Sequence, residues 1–165
     1  MPEVATWGEV EAAAPELAGE ARAAFDAHKH KMMATLRADG SPRLAGMEAL
    51  FHDGQLWLGM MDGSRKAGDL LRDPRLALHS ATLDTDLSTG DARISGRAVV
   101  VTDPSTVAAY VEAQSGASGQ EPPSVFHLFS VDVSEVVLVR IGDPADHLVI
   151  ESWREGRGLR RIERR

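Results

Sequence analysis

Apolar residues recur along the chain at two different periods, and each period predicts its own kind of element. In residues 6–28 they fall on one face at helical spacing. Thr6, followed three residues later by Glu9, has the spacing of a capping box, and Pro15 suits a first helical turn. The segment therefore predicts an N-terminal helical region, either continuous or divided into two helices near Ala14.

From residue 31 onward the period changes to two, and clusters of Gly, Pro, Asp and Ser separate the apolar runs. This alternation predicts strands over 31–37, 42–51, 55–61, 75–81, 91–102, 126–139 and 147–153. Asp53-Gly54 is typical of a hairpin turn, so we expect the first three strands to form an antiparallel meander. Gly96 predicts a bulge in the fifth strand.

Turn and capping residues predict two further helices, over 64–72 and 103–114, and two loops, over 83–90 and 115–123. Six or more strands joined mostly by tight turns, with helices at the margins, indicate a mainly β protein. The expected architecture is a small closed or partly open antiparallel barrel, since closure removes exposed sheet edges. A chain of 165 residues has the length of one domain, so we expect residues 1–165 to form a single unit.

Charge is distributed unevenly along the chain. The net charge is −7, but residues 154–165 hold six arginines and two glutamates, a net +4, which leaves −11 on the remainder. An acidic body argues against nucleic-acid binding, and a short basic C-terminal tail is expected to meet a small anion or a partner subunit, or to be simply solvated. No apolar run is long enough to span a membrane, so the predicted location is the cytoplasm.

Several kinds of site are excluded or unsupported by the composition and motifs. The chain has no cysteine, which excludes disulfides, a thiol nucleophile and Cys-type metal sites. It has no asparagine, no glycine-rich nucleotide motif and no G-x-S-x-G elbow. The six histidines are scattered, so no metal site is predicted, and no residue is singled out as a catalytic acid or base.

The segment 63–67, G-S-R-K-A, carries the clearest chemistry, because it lies where the third strand passes into a short helix. A helix N-terminus presents unpaired N–H groups and a partial positive charge. Ser64 adds a hydroxyl, Arg65 a planar fork of donors and Lys66 a compact charge, and Arg43 on the second strand is expected near the same end. Together they suit a phosphate monoester. The alternative is a capped helix with two exposed cations.

The third strand adds an apolar slot beside this anion site. Leu56, Leu58 and Met60 face one way and Trp57, Gly59 and Met61 face the other. Two glycines, Gly46 and Gly59, allow a flat ring to approach the backbone. A phosphate anchor beside such a slot has the shape required by flavin mononucleotide (FMN). The alternative for the methionines and leucines is an ordinary core position.

The stretch G-S-R-K-A-x-x-L-x-x-D-P-R-L-A-L, residues 63–78, resembles the corresponding stretch of pyridoxamine 5′-phosphate oxidases and their flavin-binding relatives. The resemblance runs in order from about His30 to the C-terminus. It implies an antiparallel split β-barrel of Greek-key type. It also implies that Arg65 and Lys66 bind the FMN phosphate, that Arg43 contacts the flavin nucleotide, and that Gly59 and Met60 lie along the flavin.

The C-terminus carries a second part of the resemblance. The family ends in a Trp, a Gly and a pair of arginines, and this chain has Trp153, Gly156, Arg160 and Arg164 with an offset of one residue. In the family the cofactor site is built across a homodimer, and the tail reaches a flavin held largely by the other subunit. The resemblance therefore implies a homodimer in which Trp153, Arg160 and Arg164 contribute to cofactor binding.

Two departures point to a relative of the true oxidases. Ile162 stands where their substrate-binding tail has a histidine, and Glu48 replaces the lysine that meets the phosphate of the vitamer. A carboxylate would repel that phosphate. We therefore expect an FMN-dependent oxidoreductase that transfers hydride between the flavin and a small molecule. Alternatives are a deazaflavin-dependent reductase and a non-catalytic flavin- or haem-binding protein on the same fold.

Overall fold

The computed structural model describes residues 3–81, 87 and 90–165 of the chain. These residues form four helices and nine strands. The helices are α1 (Trp7–Ala13), α2 (Pro15–Asp26), α3 (Arg65–Arg72) and α4 (Pro104–Ser118). The strands are β1 (Lys31–Leu36), β2 (Pro42–Met47), β3 (Leu50–His52), β4 (Gln55–Met61), β5 (Arg75–His79), β6 (Asp91–Val100), β7 (Phe126–Ile141), β8 (Leu148–Arg154) and β9 (Gly158–Arg164). Of the loop predicted over 83–90, all but residues 87 and 90 lie outside the described part.

The strands form one antiparallel sheet that curls into a barrel, which confirms the predicted fold class. Its order is β2-β1-β5-β6-β7-β4-β3. The two end strands, β2 and β3, are consecutive in the chain and separated only by Glu48 and Ala49, so the two edges of the sheet meet there. β7 pairs with β4 through its first residues and with β8 through its last, and this divergence splits the barrel.

The strand predicted over 42–51, and the three-stranded meander predicted from it, were wrong in detail. The strand predicted over 42–51 breaks at Glu48-Ala49, and its halves have different partners: β2 pairs with β1, whereas β3 pairs with β4. The three-stranded meander is therefore replaced by two hairpins. The bulge predicted at Gly96 is confirmed by a register shift between Ser95 and Gly96.

The C-terminal tail is a strand in the structure. β9 pairs with β8 from Leu148↔Arg164 to Arg154↔Gly158, so backbone hydrogen bonds hold most of residues 154–165 against the sheet. The helix predicted over 103–114 also extends further, to Ser118.

The core lies between the inner barrel wall and the N-terminal helices. The capping box of Thr6 and Glu9 starts α1, and a break at Ala14 separates α1 from α2, as the sequence predicted. The Trp7 and Phe51 rings lie 4.6 Å apart between centroids, and both are buried. This packing joins the helices to β3. No helix in the described ranges is both long and apolar enough to cross a membrane.

Candidate functional site

The N-terminus of α3 is built as the sequence predicts. Ser64 is the N-cap residue, and its hydroxyl accepts a hydrogen bond from the Ala67 N–H at 3.2 Å. Gly63 has φ of +72°, a conformation that glycine adopts without steric cost, and it turns the chain from β4 into the helix. Ala67 and Leu70 are buried, so α3 is fixed against the barrel while Arg65 stays exposed.

Lys66 joins this helix to strand β2. Its ammonium group donates a hydrogen bond to the Gly46 carbonyl at 2.9 Å, which holds the charge on the wall of a cavity of about 480 Å³. That volume lies in the ~300–1,000 Å³ range of small-molecule sites. The cavity wall comes from the ends of β2 and β4, from α4 and from the segment that follows it. It is lined by His30, Gly46, Met47, Glu48, Gly59, Met60, Met61, Lys66, Tyr110, Gln114, Ser118, Gln120, Glu121, Pro122, Pro123 and Phe126.

The two glycines predicted to admit a flat ring have different surroundings. A Cβ placed on Gly46 would meet no atom within 4 Å. A Cβ placed on Gly59 would overlap the hydroxyl of Tyr110, so the ring that approaches the Gly59 backbone is that of Tyr110. The open backbone surface in this cavity is therefore at Gly46.

Arg43 pairs with a carboxylate of its own chain. Its Nε donates to Asp69 on α3 at 2.6 Å, and the same carboxylate accepts hydrogen bonds from Thr35 at 2.8 Å and Arg72 at 3.0 Å. Burial by itself would raise the pKa of Asp69, but the hydrogen bonds from Arg43, Thr35 and Arg72 outweigh it and lower that pKa to about 2. This network fixes α3 to β1 and β2, and Arg43 does not line the cavity.

Another part of the cavity wall is acidic and aromatic. Glu48 follows β2 there, and the Tyr110 and Phe126 rings lie 5.8 Å apart between centroids. Burial, and then the negative charge of Glu48, raise the pKa of Tyr110 to about 12, so its hydroxyl remains a hydrogen-bond donor at neutral pH.

The three C-terminal candidates do not reach this cavity within one chain. Trp153 is 2% exposed and belongs to the core. Arg160 and Arg164 are exposed on β9, the last strand beyond β8. The structure thus brings Gly59, Met60 and Lys66 together and places these three elsewhere.

Several wall residues were not predicted from the sequence. Tyr110 and Gln114 come from α4, whose apolar residues show no helical face, so nothing in the pattern connected that helix with β4. His30 precedes β1, and its side chain is 72% exposed at the cavity rim. One feature of the sequence could have drawn attention to Tyr110: it is the only tyrosine in the chain. No group of three or more His, Asp or Glu residues in the described ranges is arranged to hold a metal ion.

Residues 17–140 match the sequence profile of the pyridoxamine 5′-phosphate oxidase family. The chain belongs to this family. The matched range runs from α2 into β7 and includes the G-S-R-K-A segment around Lys66. A comparison with curated protein sequences found no match.

Solved structures of other proteins share the fold of this chain. A conserved hypothetical protein from Mycobacterium tuberculosis superimposes with a TM-score of 0.59 at 24% identity, over 71% of this chain and 81% of that one. A heme binding protein from Mycobacterium smegmatis gives 0.61 at 17% identity, over 90% of this chain and 87% of that one. An F420 reductase superimposes with a TM-score of 0.52 at 21% identity, over 65% of this chain and 87% of that one. At these identities the likeness establishes the split-barrel fold of the pyridoxamine 5′-phosphate oxidase family and nothing finer.

Proposed function

We propose that this protein binds FMN in the cavity beside Lys66 and catalyses a flavin-dependent oxidation or reduction of a small molecule. The observation that carries the proposal is the position of the Lys66 ammonium group. It lies at the N-terminus of α3, on a cavity wall whose neighbouring backbone, at Gly46, is open.

The anion-binding end has the groups that a phosphate monoester requires. The hydrogen bond to Gly46 uses one of the three Lys66 donors, and Ser64 and the exposed Arg65 precede Lys66 at the start of α3. A phosphate carries about −1.5 to −2 charges near neutrality, and the helix N-terminus adds a partial positive charge. These residues would hold the phosphate end of the cofactor.

The remaining walls suit a flat, partly apolar ring. Met61 is 71% exposed on the cavity wall and presents adaptable apolar surface, and Gly46 leaves the backbone accessible. When bound, the flavin supplies the hydride chemistry. The protein's residues hold the ring, exclude water from one of its faces and offer the Tyr110 hydroxyl as a donor.

A second copy of the chain is part of the proposal. Met32 and Leu44 are 43% and 71% exposed on the outer face of β1 and β2, and Ala34 lies between them opposite Leu44. This apolar face would be covered in a homodimer. Dimerisation would also give Arg160 and Arg164, which do not reach the cavity of their own chain, a cofactor to contact across the interface. The cytoplasmic location stays a prediction from composition.

A deazaflavin cofactor is the second candidate. An F420 reductase has the same fold, and the Lys66 end of the cavity would hold any cofactor that carries a phosphate beside a flavin-like ring. A haem-binding protein also shares the fold, and in this chain the histidine on the cavity wall is His30.

The test is a binding titration of the purified full-length protein with FMN, with the deazaflavin F420 and with haemin, each followed by absorbance and fluorescence. We expect FMN to bind with a perturbed flavin spectrum. Lys66→Ala and Arg65→Ala should each weaken binding by about 1.5–3 kcal/mol, the range for hydrogen bonds to charged groups.

Arg37→Ala is the matched control, because Arg37 is exposed near the β1–β2 turn and follows Leu36, whose carbonyl contacts Arg72 at the end of α3 away from Ser64. It should leave FMN affinity unchanged. Tight F420 binding without FMN binding would transfer the proposal to a deazaflavin reductase, and a haemin spectrum with neither flavin bound would favour a haem-binding protein. FMN affinity unchanged in both Lys66→Ala and Arg65→Ala would refute the site.

A further inference from the structure

The cavity wall that holds Lys66 also carries a carboxylate. Glu48 occupies the two-residue break between β2 and β3, where the barrel closes, and its side chain is 39% exposed. It follows Gly46, the partner of Lys66, by two positions, so a cationic and an acidic group line the same cavity.

The protein's own groups leave the Glu48 carboxylate weakly paired. Lys29 Nζ lies 3.4 Å and His30 Nε2 4.0 Å from one of its oxygens, and Gln114 Nε2 lies 3.4 Å from the other. Charge-assisted hydrogen bonds are ~2.7–2.9 Å long, and ionised carboxylates offer about four acceptor sites. Lys29 and His30 are 55% and 72% exposed, so these ion pairs contribute little and compete weakly with a bound cation.

The wall next to Glu48 is aromatic and apolar. Tyr110 and Phe126 form its aromatic part, and the faces of such rings attract cations. Pro122 and Met61 extend the apolar surface. A ligand that satisfied these groups together would have an apolar or aromatic body and a positively charged end.

We propose that Glu48 makes this cavity selective for organic cations: the substrate carries a protonated amine or an amidinium group that pairs with Glu48, and its body packs on Tyr110 and Phe126. This inference rests on the proposed function, in which Lys66 holds the cofactor phosphate in the same cavity. An anionic substrate would be repelled by the carboxylate, so Glu48 also acts by exclusion.

The experiment compares two probes of similar size and opposite charge, benzamidine and benzoate, by calorimetric titration of the full-length protein with and without saturating FMN. We expect benzamidine to bind and benzoate to bind at least tenfold more weakly. Glu48→Gln should weaken benzamidine binding at least tenfold and should not weaken FMN binding. Glu112→Gln, which removes an exposed carboxylate of α4 outside the cavity wall, should change neither.

The two proposals fail in different ways. FMN binding that depends on Lys66, together with benzamidine binding that is absent, equal to that of benzoate or unaffected by Glu48→Gln, would overturn the cation selectivity alone. Glu48-dependent benzamidine binding by a protein that binds neither FMN nor F420 would overturn the proposed function, and with it the role of Glu48 in a flavin enzyme.

Discussion

At the scale of single residues, Asp69 shows how a buried charge stabilises the fold. It lies on α3 and is 3% exposed, and it accepts hydrogen bonds from Thr35 on β1 and from Arg43 on β2. We predict that Asp69→Asn lowers the free energy of unfolding by about 2–3 kcal/mol at pH 7, because the buried donors lose their charged partner. Urea denaturation of both proteins measures this difference.

The same network predicts a pH dependence. Asp69 has a pKa of about 2 in the folded protein, below the value of ~3.9 for an unfolded aspartate. Its stabilisation is therefore complete above about pH 4 and is lost as the pH falls through about 2. The stability difference between wild type and Asp69→Asn should shrink over that interval. Glu20→Gln, at an exposed position of α2, should show no such change, and a difference constant with pH would contradict the assignment.

Arg43 shows that the partner of a charged side chain cannot be predicted from the local sequence. The sequence predicts that it lies near the start of α3, and in the structure it contacts Asp69, the fifth residue of that helix. Asp69 is 26 positions away in the chain, and no spacing rule connects a strand residue with a residue in the middle of a later helix. This pairing depends on how α3 packs against the barrel.

At the scale of elements, the sequence predicts the buried face of β4 but not the packing of α4 against it. The alternation in β4 correctly predicts buried Leu56, Leu58 and Met60. The packing of Tyr110 on Gly59 joins positions of two elements that lie far apart in the chain, and no local pattern encodes it. β9 was missed for a related reason: three of its seven residues are arginines, and it is held by backbone pairing with β8, which leaves little hydrophobic pattern.

Gly59→Ala and Gly46→Ala are predicted to have different effects on stability and on FMN affinity. Gly59→Ala should destabilise the protein by about 1–3 kcal/mol through overpacking against the Tyr110 hydroxyl, and Tyr110→Phe in the same chain should restore part of the loss. Gly46→Ala meets no atom within 4 Å, so its stability should be unchanged or slightly higher, while FMN affinity falls at least fivefold. Thermal unfolding and FMN titration separate the two effects. Full FMN affinity in Gly46→Ala would show that the ring does not approach that backbone.

At the scale of the whole molecule, barrel closure depends on a break that no strand pattern marks. The alternation continues through residues 42–51, and the sequence therefore predicts one strand there. The structure divides it at Glu48-Ala49, so that β2 and β3 reach opposite ends of the sheet order. The same break places Glu48 on the cavity wall. The barrel class could thus be predicted, while the feature that closes it and shapes the cavity could not.

Association of two chains is the last property at this scale, and Leu44 provides its test. Leu44 is 71% exposed on the outer face of β2, opposite Ala34 on β1, and a stable dimer buries ~1,200–2,000 Å² in total. We predict that the wild type has twice the mass of the 17.8 kDa chain by light scattering. Leu44→Glu should give single chains, because it places a charge in an apolar interface.

Leu71→Glu is the control, since Leu71 is 52% exposed on α3, outside β1 and β2, and this variant should remain dimeric. If the cofactor site is shared between chains, the monomeric Leu44→Glu protein should also lose FMN affinity. A wild type that runs as a single chain would contradict the homodimer. A monomeric Leu44→Glu variant that binds FMN as tightly as the wild type would show that each chain holds its cofactor alone, and that Arg160 and Arg164 do not act across an interface.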